Sequence, residues 1–234
     1  MLAACGQSGE SRTAGRATQT EGAVLVIGAT RGTGLEVVKI LKARGDDVTA
    51  LVRVSSDVAE LEAMDVDRVV GDAFDPKSLD AALAGKTYRA VISTLGTVRG
   101  EPRVDFDGNR NAIDAAVKSG VARYLMTSLV GAGDSSALRA PPSPNFSGEV
   151  YGAKTQAEDY LKASGLDYTI LRPAGLLSEP ATGRGLLTED RSVTGTIHRA
   201  DLAALIVQCL DDPATIGHIY AAVDRDMMQR VGAP

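Results

Sequence analysis

Residues 24–45, "VLVIGATRGTGLEVVKILKARG", place three glycines, Gly28, Gly32 and Gly34, between an apolar, β-branched run and a segment of helical spacing. Residues 23–28 have the length of a buried strand, and Leu35, Val38, Ile40 and Leu41 recur at helix spacing behind the turn. Glycine loses the most conformational freedom on folding, so three at one strand–helix junction indicate that something approaches the backbone closely. A helix beginning directly after such a turn offers unpaired N–H groups and the positive end of its dipole to an anion. In this reading Gly28 permits the turn, Gly32 leaves room for a pyrophosphate, and Gly34 lets helix pack on strand. Thr30, Arg31 and Thr33 lie in the same turn and join the candidate phosphate site. The alternative is a glycine-rich turn with no ligand.

The alternation continues outward from this unit. Strand-like runs occupy residues 47–53, 67–72, 89–96, 122–128 and 167–173. Helical segments occupy 76–85, opened by Pro76, then 104–120, closed by Gly120, then 148–165 and 198–212. A short final strand is expected over 217–224. Strands apolar on both faces and separated by helices predict a doubly wound, Rossmann-like parallel α/β sheet. With no repeat and no compositional boundary, residues 23–234 form a single dinucleotide-binding domain, ending in a small C-terminal substrate-loop region. Residues 140–148 and 174–192 are loop-rich and follow the carboxyl ends of late strands, where open α/β sheets bind small molecules.

The 234 residues suffice for one sizeable core, and 44% apolar with 24% charged residues is ordinary for a globular protein. A net charge of −5 and the absence of tryptophan argue against nucleic acid as a partner. No run approaches the roughly 18 apolar residues of a transmembrane segment. The two cysteines, Cys5 and Cys209, give neither a disulfide framework nor a metal motif; Cys209 lies on the apolar side of its helix and is expected in the core. No metal site is expected.

Residues 1–22 are rich in Gly, Ser, Thr and Ala without periodicity and are expected to be a disordered tail. Residues 2–5, "LAAC", resemble the lipobox of bacterial lipoproteins, but the charged start and apolar stretch of an export signal are missing. The expectation is therefore a cytoplasmic protein. The alternative is a lipid-anchored one, with the tail as linker.

The spacing G-x-x-x-G-x-G at residues 28–34 resembles the short-chain dehydrogenase/reductase superfamily. "VVGDAFDP" (residues 69–76), "STLG" (93–96) and "EDYLKASGLDYTILRPAGL" (158–176) extend the likeness. Together they are similar to the atypical NmrA-like and flavin/biliverdin-reductase-like members. That resemblance implies a dinucleotide fold, with Asp72 and Ala73 by the adenine and Thr94, Leu95 and Gly96 under the cofactor ribose.

NAD-specific sites end their second strand in an acid that hydrogen-bonds the ribose 2′-hydroxyl. Here Arg53 stands in that position, and a guanidinium suits a 2′-phosphate instead. With Arg31 on the same side, the sequence predicts NADP(H) in preference to NAD(H). For the proton, the resemblance implies Ser128, Tyr151 and Lys154. Tyr151, however, precedes Lys154 by three residues, where most of the superfamily has four. In atypical relatives the tyrosine is often missing while the lysine remains as a ribose contact. Lys154 is therefore expected at the cofactor in either case. His198 is expected to be structural, and Arg172–Pro173 resemble the family's strand-ending pair. The function implied is hydride transfer to a small carbonyl, quinone or flavin-like acceptor. The alternative is a non-catalytic redox sensor or assembly factor of the NmrA-like kind.

Overall fold

The apolar run before Gly28 forms strand β1 (Ala23–Ile27), with all five residues buried. In the computed structural model, which describes residues 22–97, 101–141 and 148–232, this strand lies inside the sheet with a helical layer on each face. There follow α1 (Gly32–Ala43), β2 (Val48–Val52), α2 (Ala59–Ala63), β3 (Asp67–Val70), α3 (Pro76–Ala84) and β4 (Tyr88–Ser93). The chain continues through α4 (Asp107–Ser119), β5 (Arg123–Thr127), a 3₁₀ turn (Gly133–Leu138), α5 (Glu149–Ala163) and β6 (Asp167–Pro173). It closes with β7 (Gly175–Leu177), β8 (Gly185–Thr188), β9 (Val193–Thr194), β10 (Thr196–His198), α6 (Arg199–Asp211), β11 (His218–Asp224) and β12 (Gln229–Arg230).

The main sheet runs β3-β2-β1-β4-β5-β6-β11-β8. Its first seven strands are parallel, with Val26 of β1 set between Ala50 of β2 and Ile92 of β4. From β1 the chain first moves to one side, through β2 and β3, and then crosses back to β4 on the other. That reversal opens a crevice at the carboxyl ends of β1 and β4.

Successive side chains of β1 face opposite layers, as pleating requires. Val24 and Val26 pack with Val38 and Leu41 of α1 and with Leu202 and Ile206 of α6. Leu25 and Ile27 pack with Leu79 of α3, Ile113 of α4 and Leu161 of α5. Burying each such aliphatic side chain stabilises the fold by about 1.5–3 kcal/mol. Both layers therefore hold β1, and with it the glycine turn, in place.

The sheet is doubly wound and mostly parallel, as expected, and its edge strand β8 pairs antiparallel with β11, Leu187 opposite Ala222. Residues 174–192 are accordingly not simply loop: they contain β7 and β8. These strands have three and four residues, too short for any alternation to show in sequence. The final strand, expected over 217–224, runs over His218–Asp224, and the two-residue β12 follows it. All but Gly22 of the tail expected over 1–22, and most of the 140–148 loop, lie outside the described residues. Among the described residues no helix is long and apolar enough to cross a membrane.

Candidate functional site

The turn after β1 is built by its glycines. Gly28 has φ +85°, a left-handed conformation, and a Cβ there would fall 2.8 Å from Thr94 Oγ1. Gly34 serves a different end: its Cβ would lie 2.2 Å from the Gly28 carbonyl oxygen, so the first turn of α1 sits directly on the strand end. Thr94 joins the two strand ends, its N–H donating to the Ile27 carbonyl at 2.9 Å and its hydroxyl to the same oxygen at 3.1 Å. Arg31 begins α1 in extended conformation and caps it with no side-chain hydrogen bond.

A cleft opens here, lined by Gly28, Thr30 and Arg31 from the turn, Arg53 after β2, and Asp72 and Ala73 after β3. Thr94, Leu95 and Gly96 after β4 complete its floor, and Glu101 and Phe74 stand on its wall. Asp72 Oδ1 accepts the Phe74 N–H at 2.9 Å, which fixes the turn that carries both. Of the residues predicted for the cofactor, Gly32, Thr33, Gly34 and Lys154 do not line this cleft. Thr33 is buried within α1. Gly32, at φ +56°, faces another way, and a Cβ there would meet Arg199 Nε at 3.5 Å.

Arg31 and Arg53 converge on one carboxylate. Arg31 Nη2 lies 3.3 Å from Glu101 Oε1, and Arg53 Nη1 lies 3.1 Å from Glu101 Oε2. The hydrogen bond from Arg31, followed by that from Arg53, holds the Glu101 carboxyl below the usual carboxylate range.

The three predicted proton-handling residues sit deeper. Ser128 follows β5, its N–H donating to the Leu171 carbonyl at 2.8 Å. Its Oγ is buried and makes no hydrogen bond among the described residues. Lys154 on α5 is 4% exposed; Nζ donates to the Leu95 carbonyl at 2.6 Å and the Thr127 carbonyl at 3.0 Å. Asp105 Oδ1 lies 3.7 Å from the same ammonium. Burial dominates and lowers the pKa of Lys154, opposed by the charges of Asp105 and Glu158. The lysine thus meets the cleft through the Leu95 backbone rather than as a lining group.

Tyr151, one turn earlier, points elsewhere. Its hydroxyl accepts the Ala140 N–H at 2.7 Å, and the Arg139 guanidinium stacks 5.3 Å from its ring centroid. Gly131 makes room for the ring, since a Cβ there would fall 2.5 Å from Tyr151 Cε1.

Sequence reasoning missed Glu101 and Arg199. Arg199 opens α6, lies over Gly32 and donates to Ser178 Oγ at 2.7 Å, so it ties the segment after β7 to the glycine turn. Neither residue belongs to a motif, and both meet their partners only through the tertiary fold. Farther off, His198, Asp201 and Asp224 bring ligand-type atoms within 4.8 Å of one another. Asp201, however, accepts the N–H groups of Thr182 and Gly183, and Asp224 accepts that of Asp226. The cluster therefore fastens the 182–184 loop to α6 and β11.

The residues fit a dinucleotide. The turn carries no side chain at Gly28 where backbone must be approached, one cation stands in the turn and a second beyond β2, and a buried hydroxyl without a hydrogen bond among the described residues follows β5. Comparison with known proteins agrees. Residues 28–213 match the NAD(P)H-binding family. ChuY, an anaerobillin reductase from Escherichia coli O157:H7, superimposes with a TM-score of 0.79 at 31% identity, covering 88% of this chain and 98% of its own. The uncharacterized sugar epimerase YhfK of Bacillus subtilis is 32% identical over 87% of this chain and 94% of its own length. Sanguinarine reductase of Eschscholzia californica is 29% identical over 80% of this chain and 84% of its own.

Proposed function

The chain belongs to the NAD(P)H-binding family, and from that membership we propose that it is an NADP(H)-dependent oxidoreductase of the atypical short-chain dehydrogenase/reductase class. Its acceptor is a small carbonyl, quinone or flavin-like molecule. The observation that carries this reading is the meeting of Arg31 and Arg53 at one point of the cleft that starts at the glycine turn. Two guanidinium groups there match the charge and geometry of a 2′-phosphate, which a bare hydroxyl would not need. The reductase names of two relatives support the reaction class.

A bound nicotinamide would supply the hydride. The protein's own residues would bind and orient the reactants. Thr94 and the glycine turn hold the strand ends that frame the cleft, and Lys154 sets the Leu95 backbone on its floor. Ser128 offers the acceptor oxygen a buried hydroxyl. Tyr151 is a positioning residue in this reading, because its hydroxyl already holds the Ala140 backbone.

A second reading, a non-catalytic dinucleotide-binding sensor or assembly factor, draws support from that same tyrosine and from the engagement of the Lys154 ammonium with two carbonyls and Asp105. Titration with NADPH, followed by NADPH consumption against quinones, aldehydes and flavins, separates the two. Turnover on at least one acceptor is expected. Tight binding with no turnover on any of them would favour the sensor.

A further inference from the structure

We propose that Glu101 is an internal competitor for the two arginines that would receive a 2′-phosphate, and that it sets the margin by which NADPH is preferred to NADH. The inference rests on the cofactor reading above and adds a specificity-determining residue to it.

The two carboxylate oxygens of Glu101 are divided between the arginines, one to Arg31 and one to Arg53, at 3.3 and 3.1 Å. Both guanidinium groups are thereby committed to an anion that belongs to the chain itself. A 2′-phosphate brings nearly two negative charges to the same place. It must displace the carboxylate from both arginines or lie beside it, and either course costs affinity. NADH carries no charge at that position, so it leaves both ion pairs intact. Glu101 also offers NADH what NAD-specific sites use, a carboxylate that accepts a hydrogen bond from the 2′-hydroxyl. Here the acid comes from the connection between β4 and α4 instead of from the end of β2. One carboxylate therefore penalises one cofactor and favours the other.

The size of the effect follows from exposure. The side chains of Arg31, Arg53 and Glu101 are 61%, 46% and 36% exposed, so water and salt screen the contacts. Removing the Glu101 charge is worth about tenfold in NADPH affinity, not thousands-fold.

The test is titration of the full-length protein with NADPH and with NADH, in the parent, in Glu101→Gln, in Arg53→Ala and in the double variant. Glu101→Gln should tighten NADPH by about tenfold and leave NADH unchanged or weaken it by up to about threefold. In the Arg53→Ala background the gain in NADPH affinity should shrink, because Glu101 acts through the arginines. NADPH affinity unchanged or reduced in Glu101→Gln, while Arg53→Ala still weakens NADPH selectively, would overturn the competitor role and leave the cofactor reading standing. If Arg53→Ala weakens both cofactors equally, or neither, the cofactor reading itself fails, whatever Glu101 does.

Discussion

At the scale of single residues, the glycines of one motif have separable duties. A methyl group at Gly34 would drive into the Gly28 carbonyl, whereas at Gly96 it would meet nothing within 4 Å. Gly34→Ala should therefore cost about 1–3 kcal/mol of stability, the usual range for overpacking, seen as a lower denaturant midpoint. Gly96→Ala should leave that midpoint unchanged and alter only dinucleotide affinity, since Gly96 lines the cleft. Arg53 permits a sharper test of charge. Arg53→Asp sets a second carboxylate beside Glu101, so NADPH should weaken about 10- to 100-fold more than NADH. Equal losses for the two cofactors in a binding titration would remove Arg53 from the site. The place of Arg53 in the cleft was legible in sequence because it is set by distance from the glycines. Glu101 was not, because it meets Arg53 across 48 residues and Arg31 across 70.

At the scale of elements, α5 and β6 are joined by a buried ion pair. Arg172 donates to both carboxylate oxygens of Glu158, from Nε at 2.9 Å and Nη2 at 2.7 Å, and also pairs with Asp134 of the 3₁₀ turn. The Arg172 and Glu158 side chains are almost wholly buried. Glu158→Ala should destabilise by about 3–5 kcal/mol, because it leaves a buried guanidinium short of a counter-charge; chemical denaturation measures the loss. Arg172→Met with Glu158→Gln together should recover part of it. On α6, burial raises the Cys209 thiol to about 11 from an ordinary 9. A raised thiol pKa contributes stability that is complete below about pH 9 and is lost as pH climbs through about 11. In a Cys5→Ser background, a thiol reagent at neutral pH should label Cys209 only as α6 opens, so labelling that follows the unfolding curve is expected and fast labelling of the native protein would contradict it. The long elements were visible in sequence because their apolar periodicity is a local property. The strands β7 and β8 were not, because three or four residues carry no period and their hydrogen bonds come from β10 and β11.

At the scale of the whole molecule, the two layers around one sheet predict a single cooperative unfolding transition. Dinucleotide binding to the native state alone raises its midpoint. At about 100 times Kd the stabilisation is about 2.7 kcal/mol. For a chain of this size that is about 5–10 °C. Differential scanning calorimetry should show one peak moving upward with NADPH; two separable peaks would mean that the late strands form their own unit. The order of the sheet has a consequence of another kind. Among the described residues, all that line the cleft fall between Ile27 and Val104, at or after the ends of the first four strands, astride the point where the strand order turns back. Among the described residues, none from the later strands or the segments between them lines the cleft. Inheritance can therefore act on the two halves separately. In an oxidoreductase of the kind proposed, changes beyond residue 104 that spare Lys154 and Arg199 would redirect the protein to a new acceptor while the source of its electrons stays the same, so descendants of one ancestor would diverge in what they reduce without relearning how.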